Sequence, residues 1–180
     1  MTIINHLSHS NQLDLLCEII VRIKPEVYLE LGVKKGKTIR SICSCTKRSI
    51  GVDINIPKNT NGYEFYKMTT DEFFERVKNK KIDLSSVDVA LVDANHSSEY
   101  VLRDFYNVLP IVKDQGLIIL HDTYPESFEC VGKEVCGDAY KAAWEISTKN
   151  VSFLECCTLP IHPGLTFIRK RKYQVPWVKV

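Results

Sequence analysis

Six carboxyl and imidazole side chains could form a reactive site, because each follows a short apolar run in the chain. They are Glu30, Asp53, Asp93, His96, His121 and Asp122. Carboxylates bind cations and hydrogen-bond donors, and a histidine can exchange a proton near neutral pH. If the apolar runs are parallel strands, their carboxyl ends meet at one edge of a sheet. The spacing therefore predicts a polar ligand site at that edge.

The stretch LELGVKKGKT, residues 29–38, contains a glycine loop that is shorter than a nucleotide phosphate loop. The phosphate loop has the pattern G-x-x-x-x-G-K-[ST], whereas here only three residues separate Gly32 from Gly36. A shorter turn cannot present the same ring of amides to a phosphate, and the carboxylate of Glu30 would repel one. The loop therefore indicates a ligand with an ammonium group, such as one that carries an amino acid.

Asp53 lies about 20 residues after Gly32, where an acid accepts hydrogen bonds from a ribose diol. Nicotinamide-dependent oxidoreductases and S-adenosylmethionine enzymes share this feature. The G-x-x-x-G pattern differs from the G-x-G-x-x-G of dinucleotide enzymes. Tyr63 and Lys67 have the spacing of a reductase pair, but they precede the fourth predicted strand, whereas the reductase pair follows the fifth. The loop thus favours S-adenosylmethionine.

Apolar periodicity predicts strands that alternate with helices along the chain. The predicted strands are 26–33, 48–54, 64–68, 87–96 and 116–123. The predicted helices are 13–23, 38–45, 69–79, one that begins near Ser97 or Ser98, and 138–148. The tail adds two antiparallel strands, 151–159 and 165–172. This alternation predicts a doubly wound α/β fold with a mostly parallel sheet.

The composition is that of an ordinary globular protein, with 180 residues, 44% apolar residues and a formal net charge of +2. We expect a single domain, 1–180, with an N-terminal helix region (1–25), a cofactor-binding core (26–122) and a substrate-side segment, helix and hairpin (123–180). The small net charge does not favour nucleic acid as a partner. The N-terminus lacks the features of a secretion signal, and no apolar run reaches membrane-spanning length, so we expect a cytoplasmic protein with no membrane contact.

Four segments together carry a family resemblance: ELGVKKGKT, GVDI, VALVDANHSSEYVLRDFYNVLPIVKDQGLIILHDT and GDAYKAAWEI. Their order resembles class I S-adenosylmethionine-dependent methyltransferases, specifically the small-molecule O-methyltransferase-like group with D-x-x-H and HD-T signatures. The resemblance implies a Rossmann-like, seven-stranded sheet in the order 3-2-1-4-5-7-6, with strand 7 antiparallel. It also implies methyl transfer to a hydroxyl of a small molecule or a carrier-bound sugar.

The resemblance also implies which residues bind the cofactor. They are Glu30, Gly32, Gly36, Thr38, Asp53, Thr69, Thr70 and Asp93. Glu30 and the two glycines would hold the methionine part, with Thr38 opening the helix that follows. The acid after the second strand would bind the ribose, and the paired threonines would lie beside the adenine.

Metal-dependent relatives imply a magnesium site formed by Asp93, His121 and Asp122. Such an ion would suit oxygen methylation because it favours the ionised form of an acceptor hydroxyl. Magnesium prefers oxygen ligands, and His121 stands where an acid is more usual, so manganese, a softer metal or no metal remain alternatives. Asp93 and His96 are the implied catalytic residues, with His96 as a candidate general base.

Other interpretations stay open at this point. The fold could belong to a non-catalytic module that binds an S-adenosyl ligand, or, with less support, to an NAD(P)-dependent oxidoreductase. Asp93 and Asp122 could only cap the loops after their strands, and His96 could only cap a helix. The chain is short for the family, which suits a large acceptor or a homodimer that completes the site.

Overall fold

The computed structural model describes residues 9–132, 135–150 and 152–171. The strands are β1 (Val27–Leu31), β2 (Arg48–Asp53), β3 (Glu64–Lys67), β4 (Val87–Val92), β5 (Val112–His121), β6 (Leu154–Leu159) and β7 (Leu165–Lys170). The helices are α1 (His9–Ile23), α2 (Lys37–Ile42), α3 (Thr70–Lys78), α4 (Ser98–Val108) and α5 (Ala139–Lys149), with 3-10 turns at Cys43–Cys45 and Phe128–Val131.

All seven strands form one sheet in the order β3-β2-β1-β4-β5-β7-β6. The pairs among β1 to β5 are parallel, whereas β7 runs antiparallel to both β5 and β6. The predicted strand order and the antiparallel seventh strand are therefore confirmed. At the centre, β1 and β4 are buried on both faces, which explains why their sequences are almost continuously apolar.

Two apolar layers cover the sheet. Helices α1 and α2 pack on one face through side chains such as Ile20 and Ile39. Helices α3, α4 and α5 pack on the other face, where Phe73, Phe105 and Ile146 are fully buried. This sandwich of helices and sheet leaves the carboxyl ends of the parallel strands as a shared polar edge. No helix in the part of the chain that the structure describes is long and apolar enough to span a membrane.

The helix boundaries differ from the predicted ones where local hydrogen bonding decides them. Helix α2 is shorter than predicted, because the chain tightens into a 3-10 turn at Cys43. It also begins at Lys37, directly after Gly36 in the left-handed conformation (φ 70°), so Thr38 is its second residue and does not open it. The Thr69 hydroxyl caps α3 by accepting the Glu72 N–H at 3.2 Å.

The start of α4 is capped from elsewhere in the sequence. Ser97 occupies the cap position, but its side chain makes no capping hydrogen bond. Instead, Oδ1 of Asp138 accepts the Ser98 N–H at 2.6 Å. This long-range contact ties α4 to the segment that enters α5, so the two helices lie side by side along one edge of the site.

Candidate functional site

The carboxyl ends of β1, β4 and β5 meet because these three strands are neighbours in the sheet. The backbone N–H of Asp93 donates to the Leu31 carbonyl at 2.8 Å, which joins the loop after β4 to the loop after β1. His121 ends β5, and Asp122 follows it. The topology therefore brings together the polar residues that follow these three strands.

Gly32 permits a very close approach between two of these loops. Its φ is +87°, and a Cβ at this position would lie 2.1 Å from the Asp93 carbonyl oxygen. A side chain would therefore clash with backbone atoms as well as adopt an unfavourable conformation. Only glycine allows the loop after β1 to pack on the end of β4, so one demonstrable function of Gly32 is to close this part of the site.

Asp53 organises the glycine loop through its carboxylate. Oδ2 accepts the backbone N–H groups of Val33 at 2.9 Å and Lys34 at 2.7 Å. Oδ1 accepts the Asn55 N–H at 2.7 Å. Asp53 is half-buried and lines the cavities described below. Since a carboxylate has about four acceptor positions, at least one remains for a ribose hydroxyl.

Glu30 lies beneath the loop, where it is only 2% exposed. Its Oε2 accepts a hydrogen bond from the Tyr28 hydroxyl at 2.8 Å. Burial raises the pKa of Glu30 to about 8, and the hydrogen bonds from Tyr28 and the Ile39 backbone only partly offset this effect. The carboxylate does not line the cavities, so its contact with a ligand ammonium remains a prediction.

Four side chains form what we call the carboxylate–histidine cluster: Asp93, His96, His121 and Asp122. Nε2 of His96 lies 3.1 Å from Oδ2 of Asp122 and 3.6 Å from Oδ1 of Asp93. Nδ1 of His121 lies 3.2 Å from Oδ1 of Asp93 and 3.1 Å from Oδ1 of Asp122. Each imidazole therefore faces both carboxylates.

The cluster shifts the pKa values of its members in opposite directions. Burial opposes ionisation of Asp93, but the positive charges of His121 and His96 lower the pKa of this carboxyl to about 2. Burial likewise disfavours a charged His121, yet Asp93 and Asp122 raise the pKa of His121 to about 10. Hydrogen bonding to Asp93 raises the pKa of His96 despite its burial. Without another cation, the positive charge of the protonated histidines neutralises the negative charge of the two carboxylates.

Two features of the cluster fit a bound cation. Nδ1 of His96 donates to the Val135 carbonyl, so a neutral His96 presents its bare Nε2 to the carboxylates. Metal-bound histidines commonly make this type of second hydrogen bond. In addition, His121 Nδ1 is buried, and despite its short distances to the carboxylates it has no partner in hydrogen-bond geometry. A cation bound between Asp93 and Asp122 would supply the positive charge that favours the ionised form of both carboxylates.

The candidate ligand set differs in one member from the predicted one. Among the residues that the structure describes, one group of three offers ligand atoms that all lie within 4.8 Å of one another: Asp93, His96 and Asp122. His121 was predicted in place of His96, but its Nδ1 lies against the same carboxylates from the buried side. Asp122 adopts φ 60°, an uncommon conformation that aims a nearly fully buried carboxylate at the cluster.

Two cavities adjoin the glycine loop. The central cavity has a volume of about 550 Å³ and the side cavity about 310 Å³. They share Gly32, Asp53, Ile54 and Ala94 as lining residues. All four members of the carboxylate–histidine cluster line the central cavity. A ligand that filled both cavities would therefore pass Gly32 and extend one end toward the cluster.

The side cavity contains the two predicted threonines and three residues of α4 that the sequence did not identify as site residues. Thr69 and Thr70 line it, together with Tyr100, Arg103 and Asp104 from α4. The helical spacing of the last three, i, i+3 and i+4, puts them on one face, but that pattern alone does not distinguish a ligand site from a packed surface. Thr38 and Gly36 line neither cavity.

An outer cavity of about 800 Å³ opens beside His96. It lies between the loop after β4 and the segment before α5, and its lining includes Val131, Asp138 and Lys141. Part of this wall comes from residues 123–137, for which the sequence has no recognisable motif. His96 lines both this cavity and the central one, so a molecule in the outer cavity would approach the cluster through His96.

Comparisons with known proteins agree with the fold. The sequence profile of a family described as a methyltransferase domain matches residues 29–123. A comparison with curated proteins finds no match. Among solved structures, the chain is similar to an O-methyltransferase from Bacillus cereus in complex with SAH, with 12% identity and a TM-score of 0.71, covering 91% of this chain and 82% of that one.

Two further structures are similar. The SAH-bound methyltransferase of Podospora anserina has 16% identity and a TM-score of 0.68, over 92% of this chain and 80% of that one. A methyltransferase from the mycinamycin biosynthetic pathway, in complex with Mg, SAH and mycinamycin VI, has 15% identity and a TM-score of 0.59, over 93% of this chain and 50% of that one. At these identities the similarity establishes the fold.

Proposed function

This chain belongs to the methyltransferase-domain family, since the matched residues span more than half of it, and from that premise we propose that it transfers a methyl group from S-adenosylmethionine to a hydroxyl oxygen. The acceptor in this proposal is a small molecule or a carrier-bound sugar, and a divalent cation assists the reaction. S-adenosylmethionine supplies a methyl group on a positively charged sulfur, and a cation stabilises negative charge on an acceptor oxygen.

One observation carries the proposal: the central and side cavities adjoin at Gly32 and Asp53, and the carboxylate–histidine cluster lines the larger of these two. A ligand with an adenosyl part and an amino-acid part has the extended shape that would occupy both cavities. Asp53, at their junction, would accept a ribose hydroxyl while holding the loop through Val33 and Lys34. The end of the ligand that reacts would then lie next to groups that can bind a cation.

In this proposal Asp93, His96 and Asp122 hold the cation. Asp93 and Asp122 would bind it as carboxylates, and the cation would replace the histidine charges that neutralise Asp93 when no metal is bound. His121 lies against the same two carboxylates from the buried side and would orient them. A mixed nitrogen and oxygen ligand set suits manganese or another transition metal better than magnesium.

The acceptor would reach the cluster from the outer cavity, past His96. This cavity is wide and partly polar, which suits a small hydroxyl compound or the end of a carrier-bound sugar. If no cation binds, His96 is instead the histidine of the cluster that lines both the central and the outer cavity, and because its pKa is raised it could accept a proton only at a pH at which its ring is neutral. The same geometry would serve a module that binds the S-adenosyl ligand without catalysis. An assay of methyl transfer distinguishes this alternative from the enzyme.

Calorimetric titration with S-adenosylhomocysteine, NADH and ATP, each with and without Mg²⁺ or Mn²⁺, tests the cofactor. We expect selective binding of S-adenosylhomocysteine. Transfer of a radiolabelled methyl group to a panel of hydroxyl compounds then tests catalysis, with chelator-treated protein as the metal control. Selective binding of NADH or ATP would refute the proposal, and cofactor binding without transfer to any acceptor would favour the non-catalytic module.

A further inference from the structure

A turn of four consecutive residues, 135–138, lies against the carboxylate–histidine cluster just before α5. The Val135 carbonyl accepts a hydrogen bond from Nδ1 of His96. The backbone N–H of Asp138 donates to the His96 carbonyl at 3.0 Å. We call these residues the 135–138 turn, and it holds both the ring and the backbone of His96.

Gly137 allows this turn to approach His96 closely. Its φ is +56°, and a Cβ at this position would lie 2.3 Å from the His96 carbonyl oxygen and 2.8 Å from the His96 Cβ. A side chain here would therefore displace either the turn or the loop that carries His96. Gly132, in the same segment, differs, because a Cβ there would come no closer than 3.6 Å to its nearest neighbour, the Glu129 carbonyl oxygen.

Cys136 makes the second contact of the turn with the cluster. Its side chain is fully buried, and its thiol is hydrogen-bonded to the Asp122 carboxylate. The turn thus holds one cluster residue from the loop after β4 and another from the end of β5. Because Nε2 of His96 and Oδ2 of Asp122 are only 3.1 Å apart, the same turn sets the space between them.

The turn acts on this space from outside the candidate ligand set. Within the part of the chain that the structure describes, that set is Asp93, His96 and Asp122, and it includes no residue of the turn. Groups that hold metal ligands from behind fix the ligand orientation, and their loss typically lowers metal affinity about 10- to 100-fold. Residues 136 and 137 are placed to have this effect through His96 and Asp122.

We propose that Cys136 and Gly137 are positioning residues of the cation site, which keep His96 and Asp122 at the separation and orientation that a divalent cation requires. The proposal rests on the cation assistance proposed above and assigns a role to a segment in which the sequence has no recognisable motif. Gly137 acts by admitting the turn next to His96, and Cys136 acts by orienting the Asp122 carboxylate.

Calorimetric titrations of wild type and Gly137→Ala with Mn²⁺ and with S-adenosylhomocysteine test the role of the glycine. We expect Mn²⁺ affinity to fall at least about tenfold, because the added Cβ moves the turn away from His96. S-adenosylhomocysteine affinity should change less than about twofold, since Gly137 lines neither the central nor the side cavity. A purely structural glycine would lower only the urea midpoint of unfolding and leave the Mn²⁺ affinity of the folded protein unchanged.

Two other glycines provide matched controls. Gly132→Ala tests a change in the same segment where a Cβ has room. Gly62→Ala, at φ +89° beside Cys43, carries the cost of a left-handed alanine without contact with the cluster. Both variants should bind Mn²⁺ as the wild type does.

A pair of substitutions at Cys136 tests the second contact independently. Cys136→Ala removes the donor to Asp122 and should lower Mn²⁺ affinity at least about tenfold. Cys136→Ser keeps a donor and should stay within about threefold of the wild type. Circular dichroism confirms that each variant is folded.

A folded Gly137→Ala protein that binds Mn²⁺ as tightly as the wild type overturns the inference. Should that variant not fold, equal Mn²⁺ affinities of the wild type and Cys136→Ala overturn it. In both cases the proposed function survives. A wild-type protein that binds S-adenosylhomocysteine but no divalent cation refutes the inference together with the cation assistance, and leaves the assignment of the cofactor intact.

Discussion

Nε2 of His96 lies 3.1 Å from Oδ2 of Asp122, although the two residues come from the ends of different strands. The His96 ring is held from its other side, where Nδ1 donates to the Val135 carbonyl. His96 therefore cannot be treated as an independent general base, because its reactive nitrogen faces a buried carboxylate. Its role depends on what else occupies the space between the two side chains.

Asp122→Asn should weaken Mn²⁺ binding at least roughly tenfold while leaving S-adenosylhomocysteine affinity nearly unchanged. Asparagine tolerates the φ of 60° at this position, so the backbone can be preserved. Calorimetry with each ligand measures both effects. Asp114→Asn, an exposed change elsewhere on β5, is the control. Unaltered Mn²⁺ affinity of the Asp122 variant would show that the metal assignment is wrong.

Substitution of the two histidines in turn decides which one is the metal ligand. His96→Gln should lose at least about tenfold in Mn²⁺ affinity, because Nε2 is the atom that faces the carboxylates. His121→Asn should lose less, since that ring contacts the same carboxylates from the buried side. Metal titrations of both variants provide the comparison. The reverse order of losses would restore the ligand set Asp93, His121 and Asp122.

Asp53→Ala should weaken S-adenosylhomocysteine binding by about 1 to 3 kcal/mol. The substitution removes a ribose partner and also the acceptor for the loop N–H groups of Val33 and Lys34. Asp83→Ala, an exposed change outside the central and side cavities, serves as the control in the same calorimetric assay. If the Asp53 variant binds as tightly as the wild type, Asp53 is not part of the cofactor site.

Glu30→Gln should reduce the pH dependence of folding stability. The pKa of Glu30 is about 8 in the folded protein, against an ordinary value of 4.5, so the folded state holds a proton that the unfolded state releases. Stability from this group is therefore complete below about pH 4.5 and falls as the pH rises toward 8.

Urea unfolding at pH 5 and pH 8.5 measures this effect. The loss of unfolding free energy between the two pH values should be smaller in Glu30→Gln than in the wild type by on the order of 4 kcal/mol. Tyr28→Phe is a second variant for the same measurement. It removes the hydroxyl that donates to the Glu30 carboxylate and should raise the pKa of Glu30 further. Equal pH dependence of wild type and Glu30→Gln would mean that Glu30 is ionised in the folded protein.

Lys37→Ala should change S-adenosylhomocysteine affinity by less than about twofold, since surface substitutions away from a ligand have small effects. Lys37 is exposed at the start of α2 and lines neither the central nor the side cavity. The same titration checks this expectation. A loss of tenfold or more would indicate that the loop binds phosphate after all, as its superficial similarity to a nucleotide loop suggests.

The sequence by itself determined the alternation of strands and helices and the location of the polar edge, whereas the strand order came from the family resemblance. Apolar runs such as 87–92 and 116–121 can form only buried strands of a helix-covered sheet, and the residues after them must then meet at one edge. Likewise, the shortened glycine loop with Glu30 before it and Asp53 after it was sufficient to favour an S-adenosyl ligand. These inferences depend on local periodicity and spacing, which a sequence contains.

Tertiary structure alone decided how the polar side chains divide their roles. The sequence predicted His121 as a metal ligand and His96 as a base, and only packing against Val135 and the two carboxylates shows which imidazole nitrogen faces the acids from which side. The sequence places Asp104 on the buried face of a helix. Only the packing of α3 and α4 around the side cavity shows that its Oδ1 has no hydrogen-bond partner among the described residues. Such roles depend on distances and burial between residues far apart in the chain, and periodicity does not encode them.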